Sequence, residues 1–243
     1  MEVVKNEIDS KVFGKTFLEI KGFSYDKDFV QFENAYINEY NPFYVSLKVP
    51  IENLEDIHSL EKNGFNFIET QIRETLRLKK IYDHFNFYPY KIEQVSNESD
   101  LQTVLDIASN TFKHDRFSLD PMLPNFFSSE RYMILVRKAH QQKDEFLYKF
   151  FNSDTGEILG FKTHKIVSDT EALMYLGGIL EKYKRSPLPA INGYLELNEL
   201  FKKGITKITT HISGGNYGVL NLEVKEFGYK VSQTFMILRK IYL

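Results

Sequence analysis

Apolar residues alternate with polar ones along some stretches of this chain and recur at helical spacing along others. Residues 43–49 (Phe-Tyr-Val-Ser-Leu-Lys-Val) alternate and are rich in β-branched and aromatic side chains, which predicts a strand ended by Pro50. Leu54, Ile57 and Leu60 then share one face of a predicted helix over 53–63, with Gly64 as its stop. Phe65 to Leu78 reads as a long strand, with Phe67, Ile72, Leu76 and Leu78 set among charges. Residues 80–90 form an aromatic, proline-containing joint, and the domain boundary is placed there: a smaller αβ domain over 1–87 and a larger domain over 88–243.

Beyond the joint, Lys91 to Val95 reads as a strand. Ser99 and Gln102 offer a capping box for a helix with Leu101, Val104, Leu105, Ala108 and Phe112 on one face. A second helix is predicted near 128–141. Residues 145–152 and 157–167 are strands joined by Ser153-Asp154-Thr155-Gly156, which is hairpin-turn chemistry, and 171–179 is the next strand. A helix carrying Ile191, Tyr194, Leu195 and Phe201 runs to Gly204, a strand covers 205–211, and Asn216 starts a helix with Leu220, Val224 and Phe227 in line. The last strand covers 231–238. From residue 88 the order is β-α-α-β-β-β-α-β-α-β. The three consecutive strands predict an antiparallel meander, and the strands after helices predict a parallel portion, so the class is α/β (α+β) with a mixed sheet flanked by helices. The helix, Gly-aromatic, strand sequence around Gly64-Phe65 is echoed around Gly228-Tyr229. That is either an internal repeat of one βαβ-like unit or ordinary helix-stop punctuation.

Composition narrows the classes. The 243 residues are 42% hydrophobic and 26% charged, enough to bury a full core. A net charge of −2 gives no global argument for nucleic acid or an anionic membrane. No apolar run approaches the roughly 20 residues needed to span a bilayer. With no cysteine there is no disulfide, zinc-thiolate site or cysteine nucleophile, and a reducing cytoplasm is the expected location. The six histidines have no metal-ligand spacing, so no metal is expected. Nor is there a nucleophile elbow, a Walker loop or a dinucleotide fingerprint.

Chemistry concentrates near the C-terminal end. The strand ending Gly177-Gly178-Ile179 feeds through Tyr183-Lys184-Arg185-Ser186-Pro187-Leu188 into a helix, and a helix N-terminus behind a basic loop favours an anion. Ser213-Gly214-Gly215-Asn216 offers a second strand-to-helix junction.

These features together resemble the GNAT acyltransferase superfamily over roughly residues 88–243. Tyr183-Lys184 falls where the family's phosphate loop begins Tyr-Arg, and Asn216-x-x-Val219-x-x-Leu222 with Phe227-Gly228-Tyr229 echoes its last helix and closing Gly-Phe. The loop departs from the family pattern in carrying Pro187 and Pro189 in place of glycines, and Glu223 stands where the family often has the Tyr that protonates the departing thiolate. The resemblance implies acyl-CoA as co-substrate, held at Gly177, Gly178, Ile179, Lys184, Arg185, Ser186, Leu188 and Asn216. It implies catalytic roles for Glu223 or Tyr217, with His211 facing the cleft.

A narrower resemblance, carried by His114-Asp115-Arg116-Phe117-Ser118-Leu119-Asp120-Pro121 and the long preceding segment, is to TDP-fucosamine acetyltransferase and related N-acyltransferases of nucleotide-linked amino sugars. It implies a dTDP-linked amino-dideoxy sugar as acceptor, as in lipopolysaccharide or O-antigen biosynthesis, with His114, Arg116 and Phe117 at the acceptor, and it is compatible with a homodimer. The alternatives are a GNAT acting on a protein, peptide or antibiotic amine, and a non-catalytic GNAT-like binding module.

Overall fold

The computed structural model describes residues 1–24, 29–112, 116–123 and 127–242. Its strands are β1 (Glu2–Lys5), β2 (Phe17–Lys21), β3 (Tyr44–Pro50), β4 (Asn66–Arg77), β5 (Tyr90–Gln94), β6 (Glu145–Asn152), β7 (Ile158–Ser168), β8 (Glu171–Ile179), β9 (Lys207–Ser213) and β10 (Lys230–Ile241). All join one sheet in the order β1-β2-β3-β10-β4-β9-β8-β7-β6-β5. Its helices are α1 (Glu7–Phe13), α2 (Phe29–Tyr40), α3 (Leu54–Lys62), α4 (Glu98–Thr111), α5 (Arg116–Leu119), α6 (Phe127–Gln141), α7 (Leu188–Lys202) and α8 (Tyr217–Leu222).

The expected meander is present: β6, β7 and β8 pair antiparallel, and the connection through α7 brings β9 parallel to β8. Two strands leave their own part of the chain. β4 lies between β9 and β10, and β10 lies between β3 and β4, all antiparallel. Residues 1–87 and 88–243 thus each lend their last strand to the other. A parallel pair flanks the exchange on both sides, β2 with β3 and β8 with β9. Leu238 of β10, fully buried, is anchored in the core formed by Leu18, Val45, Leu47, Ile57, Leu60 and Phe65 of the first segment. Each such side chain contributes about 1.5–3 kcal/mol by leaving water, so the exchange is held by packing as well as by the ladder.

The two faces of the sheet differ. Leu76, Ala172, Met174 and Ile208 pack against Tyr194, Leu197 and Leu200 of α7 and against Phe227 and Tyr229. On the other face, Leu147 and Phe161 pack against Leu101, Val104 and Leu105 of α4 and Val136 of α6. α4 is capped by Asn97, whose Oδ1 accepts from the Asp100 N–H at 2.9 Å, not by Ser99. The helix begins at Glu98, one residue before Ser99, so Ser99 lies inside the first turn.

The helix after Asn216 also departs from a simple 3.6-residue stripe. α8 ends at Leu222 and a π-helical turn follows over Glu223–Phe227. The wider turn rotates Val224 outward to 41% exposure and brings Glu223 inside. Val224 therefore does not share the buried face with Phe227.

Gly193 in the middle of α7 makes room for the Phe227 ring, because a Cβ there would collide with it. Gly193→Ala gains about 1 kcal/mol of helix propensity but forces this contact apart, at a cost of about 1–3 kcal/mol. A urea melt is expected to show net destabilisation; a net gain would mean that the Phe227 ring yields without cost.

Candidate active site

The site is built where β8 and β9 part. They pair only from Glu171–Met174 to Lys207–Thr210, and beyond that β8 runs on to Ile179 and β9 to Ser213 without pairing to each other. A register shift in the β7–β8 ladder falls between Leu176 and Met174, at the point where the wedge opens. The strand edges in the wedge present backbone N–H and C=O groups that an extended ligand can pair with.

Gly177 and Gly178 lie on this open part of β8, and their missing side chains are used by the protein itself. A Cβ on Gly177 would come within 2.8 Å of Lys162 Cδ, and one on Gly178 within 2.7 Å of the Phe161 ring and 2.8 Å of Thr111 Oγ1. An open cleft of about 400 Å³ continues past Ile179 and Leu180, walled by Ile107, Asn110 and Thr111 of α4 and edged by the carboxylates of Asp106 and Glu181.

The loop after β8 is more self-contained than its basic sequence suggests. The amides of Tyr183, Lys184 and Ser186 donate to the carbonyls of Leu180, Glu181 and Tyr183. Ser186 Oγ accepts from Leu188 N at 3.2 Å and donates to the Tyr183 carbonyl at 2.7 Å. Ala190 and Ile191 both donate to Pro187, and Pro189 has no N–H. The backbone around Leu188 therefore keeps these donors inside the first turn, and the Leu188 side chain is buried. Lys184 Nζ is 2.7 Å from Glu181 Oε2 and donates to the Thr111 carbonyl at 3.5 Å, while Arg185 is exposed. Of the two cations in this loop, Lys184 is thus tied to Glu181 and Arg185 faces solvent. At the second junction, Asn216 Oδ1 accepts from Val219 N at 3.4 Å, capping a short helix.

On the α7–α8 side, at the base of the wedge, lies a buried acidic cluster. Glu74 of β4 is level with Thr210 of β9, which is level with Met174 of β8 and His164 of β7. Glu74, His164 and Glu196 are each 0% exposed. His164 Nδ1 lies 3.3 Å from Glu196 Oε1, and Lys162 Nζ lies 3.6 Å from Oε2 of the same carboxylate. Glu223, brought inward by the π turn, shares a hydrogen bond with Glu74. Burial pushes the Glu223 carboxyl up to about 8, with the nearby Glu74 and Glu196 adding to the rise and Lys162 opposing it. Burial raises Glu74 as well. Burial thus favours the protonated form of the Glu223–Glu74 pair, the form that a general acid has to hold.

The opposite face of the wedge is cationic. His211, the first β9 residue past the paired segment, lies level with Arg73 of β4. Its imidazole is pushed down to about 4 by burial and by Lys48 and Arg73, so it is neutral at pH 7. Lys48 of β3 is itself lowered to about 8 by burial and by Arg73 and Arg116, against an opposing pull from Glu19.

Of the remaining residues singled out in the sequence, Tyr217 is 69% exposed, with its ring in solvent at the start of α8. Phe117 is a core residue at 3% exposure, packed among Phe13, Phe17 and Tyr44, which leaves no open ring face for an acceptor. Arg116, beside it, stays partly exposed and near Lys48. His114 lies outside the described residues. Sequence reasoning missed Glu74, Glu196, Lys48 and Arg73. None belongs to a motif in its own stretch of chain, and only the strand exchange brings Glu74 and Arg73 to β9.

No protein-family model and no curated protein sequence matches the chain. Solved structures do. A GCN5-related N-acetyltransferase from Sphaerobacter thermophilus aligns with a TM-score of 0.69 at 10% identity, over 98% of this chain and 76% of that one. A tandem GNAT protein from the clavulanic acid biosynthesis pathway aligns at 0.61 with 9% identity, over 93% and 75%. A GCN5-related glucosamine N-acetyltransferase region of a fungal multi-domain β-N-acetylglucosaminidase aligns at 0.63 with 11% identity, over 98% of this chain and 31% of that protein. The chain has the fold of the GCN5-related N-acetyltransferases, a mixed sheet flanked by helices and opened between β8 and β9.

Proposed function

We propose that this protein is an N-acyltransferase that moves an acyl group from acyl-CoA to the amino group of a dTDP-linked amino-dideoxy sugar. The observation that carries the acyl-transfer reading is the wedge between β8 and β9 with a carboxyl pair held toward its protonated form at its base. The pantetheine arm pairs with the open edge of β8 near Gly177, Gly178 and Ile179, and the thioester lies where the strands part. The neutral amine attacks the thioester carbon from the His211 side, backbone N–H groups of β8 stabilise the oxyanion, the nitrogen gives up its proton to the His211 imidazole or to water as the C–S bond breaks, and no covalent enzyme intermediate forms. Glu223 gives its proton to the departing thiolate, with Glu74 as the partner that keeps that proton in place. The glucosamine N-acetyltransferase region among the structural neighbours supports an amino-sugar acceptor. In the same reading, residues 1–87 are a reduced second copy of the unit over 88–243, as the matching parallel pairs and exchanged strands suggest.

The test is incubation with several acyl-CoAs and with dTDP-3-amino and dTDP-4-amino sugars, followed by mass spectrometry. No acylated product with any pair, from folded protein, sinks the sugar reading. Lys184→Ala with Arg185→Ala is expected to raise KM for acyl-CoA roughly tenfold, as the loss of a charged hydrogen bond does; an unchanged KM removes the loop from the donor site.

One observation favours a second reading, a non-catalytic binding module: the loop amides before α7 are already engaged with one another. Calorimetry decides between the two, since a module of that kind shows no binding of CoA.

A further inference from the structure

The cationic face of the wedge has a feature that acyl transfer alone does not require. Lys48, Arg73 and His211 come from β3, β4 and β9, and they converge around Phe235 of β10. Lys48 Nζ is 4.1 Å and Arg73 Cζ 5.7 Å from the centre of that ring, and the His211 ring centre is 6.4 Å away. Lys48 donates to Gln71 Oε1 at 2.8 Å, and Arg73 Nε donates to Ser232 Oγ at 3.2 Å. Neither cation is in an ion pair among the described residues.

Carboxylates do face this region. Glu19 on β2 acts on Lys48, and Glu69 lies two residues from Gln71 along β4. Asp120 is taken up by Arg239, through bonds of 2.8 and 3.0 Å, and by the Tyr44 hydroxyl at 3.3 Å. The balance at the cluster is nonetheless positive, because Arg73 and Arg116 together outweigh Glu19 at Lys48. Two partly buried cations without carboxylate partners, on one side of a catalytic-type wedge, are costly unless an anion joins them.

We propose that Lys48 and Arg73 form an anion-binding site that holds the diphosphate of a nucleotide-linked acceptor, with His211 between that diphosphate and the thioester. This rests on the acyltransferase reading for its purpose but not for its test. Arg offers a planar fork to phosphate oxygens and Lys a point charge, a pairing suited to a diphosphate. Burial is the larger reason that His211 is deprotonated, and Lys48 and Arg73 add to it; two negative charges at the cluster offset the cations' share, so acceptor binding makes the imidazole a better base. The site is assembled across the exchange: β3 and β4 of the first segment hold the anion for a reaction on β8 and β9 of the second.

Calorimetry on the full chain with dTDP, inorganic pyrophosphate and thymidine tests this. The expected result is dTDP binding at least tenfold tighter than pyrophosphate, with thymidine weaker still. Lys48→Gln with Arg73→Gln is expected to weaken dTDP at least tenfold while leaving CoA affinity within about twofold, and Lys48→Arg with Arg73→Lys to retain most of the binding. In NMR titrations the His211 midpoint is expected to rise when pyrophosphate is added to the wild type and to stay put in the Gln variant. No dTDP binding by folded wild type, or undiminished binding by the Gln variant, overturns the site. Equal affinities for dTDP and pyrophosphate overturn the nucleotide in favour of free diphosphate. Failure to bind CoA sinks the acyltransferase reading and leaves the anion result standing, so the two failures are distinguishable.

Discussion

Asp120→Ala is expected to destabilise the protein by about 3–5 kcal/mol, the largest single-residue loss on stability anticipated here. Asp120 is fully buried and follows the short helix α5. Both of its oxygens bond the Arg239 guanidinium, at 2.8 and 3.0 Å, and one also accepts from Tyr44 while the other accepts from Met122 N at 3.0 Å. Arg239 lies on β10, the strand exchanged into the first segment, and is itself buried. Removing the carboxylate leaves a guanidinium inside the fold without its counter-charge, which costs far more than the pair gains by forming. The double variant Asp120→Ala with Arg239→Met should lose less, because it removes both charges, whereas Arg239→Met alone leaves the Asp120 carboxylate buried without its partner. Urea denaturation of both variants checks the order. A loss below about 1 kcal/mol for Asp120→Ala, in the range of an exposed pair, would show that water reaches Arg239 in its place.

That ion pair also shows where sequence reading succeeds and where it stops. Residues 145–152 and 171–179 are strands with the bounds that their alternation gives, because β6 and β8 run between turn residues that punctuate both ends. The strand-loop-helix unit of β8 and α7 was legible for the same reason, since local period and local punctuation suffice for it, whereas the parting of β8 from β9 has no local signal. β1, α1 and β2 are short, and β2 (Phe-Leu-Glu-Ile-Lys) is buried at consecutive positions, so neither period stands out in them. The strand exchange has no local signal at all. β4 and β10 each read as a strand, but nothing in either sequence says that they sit side by side or that β4 borders β9. Glu74 and Arg73, adjacent in the chain and on opposite faces of the sheet, acquire their surroundings only from that non-local pairing. Likewise the π turn, which places Glu223 inside and Val224 outside, breaks the periodicity on which a helical stripe is read.

Glu223→Gln is expected to flatten the pH dependence of stability and to slow acyl transfer. Burial and two neighbouring carboxylates raise the Glu223 carboxyl from 4.5 to about 8 in the folded state. Between those values the native protein holds a proton that the unfolded chain has released. Stability is therefore fully present below about pH 4.5, falls as pH rises through the window, and levels off above about 8. Gln resembles the protonated acid in shape and never ionises. The variant should match the wild type near pH 5 and exceed it at pH 8–9 by on the order of a few kcal/mol, with a residual slope left by Glu74, which burial also raises. Thermal melts across pH 5–9 check the crossing; parallel curves for the two proteins would show that Glu223 is ionised in the fold. Kinetics then separates a purely structural acid from a donor. If Glu223 protonates the thiolate, kcat should drop by about 10²-fold, as general-acid loss does, while KM for acyl-CoA stays fixed. An acid kept only for packing would give the stability gain with kcat intact. Stability and activity moving in opposite directions on one atom's replacement is what a buried proton donor predicts, because the ionisation that weakens the fold at high pH follows from the same burial that keeps the proton available at pH 7.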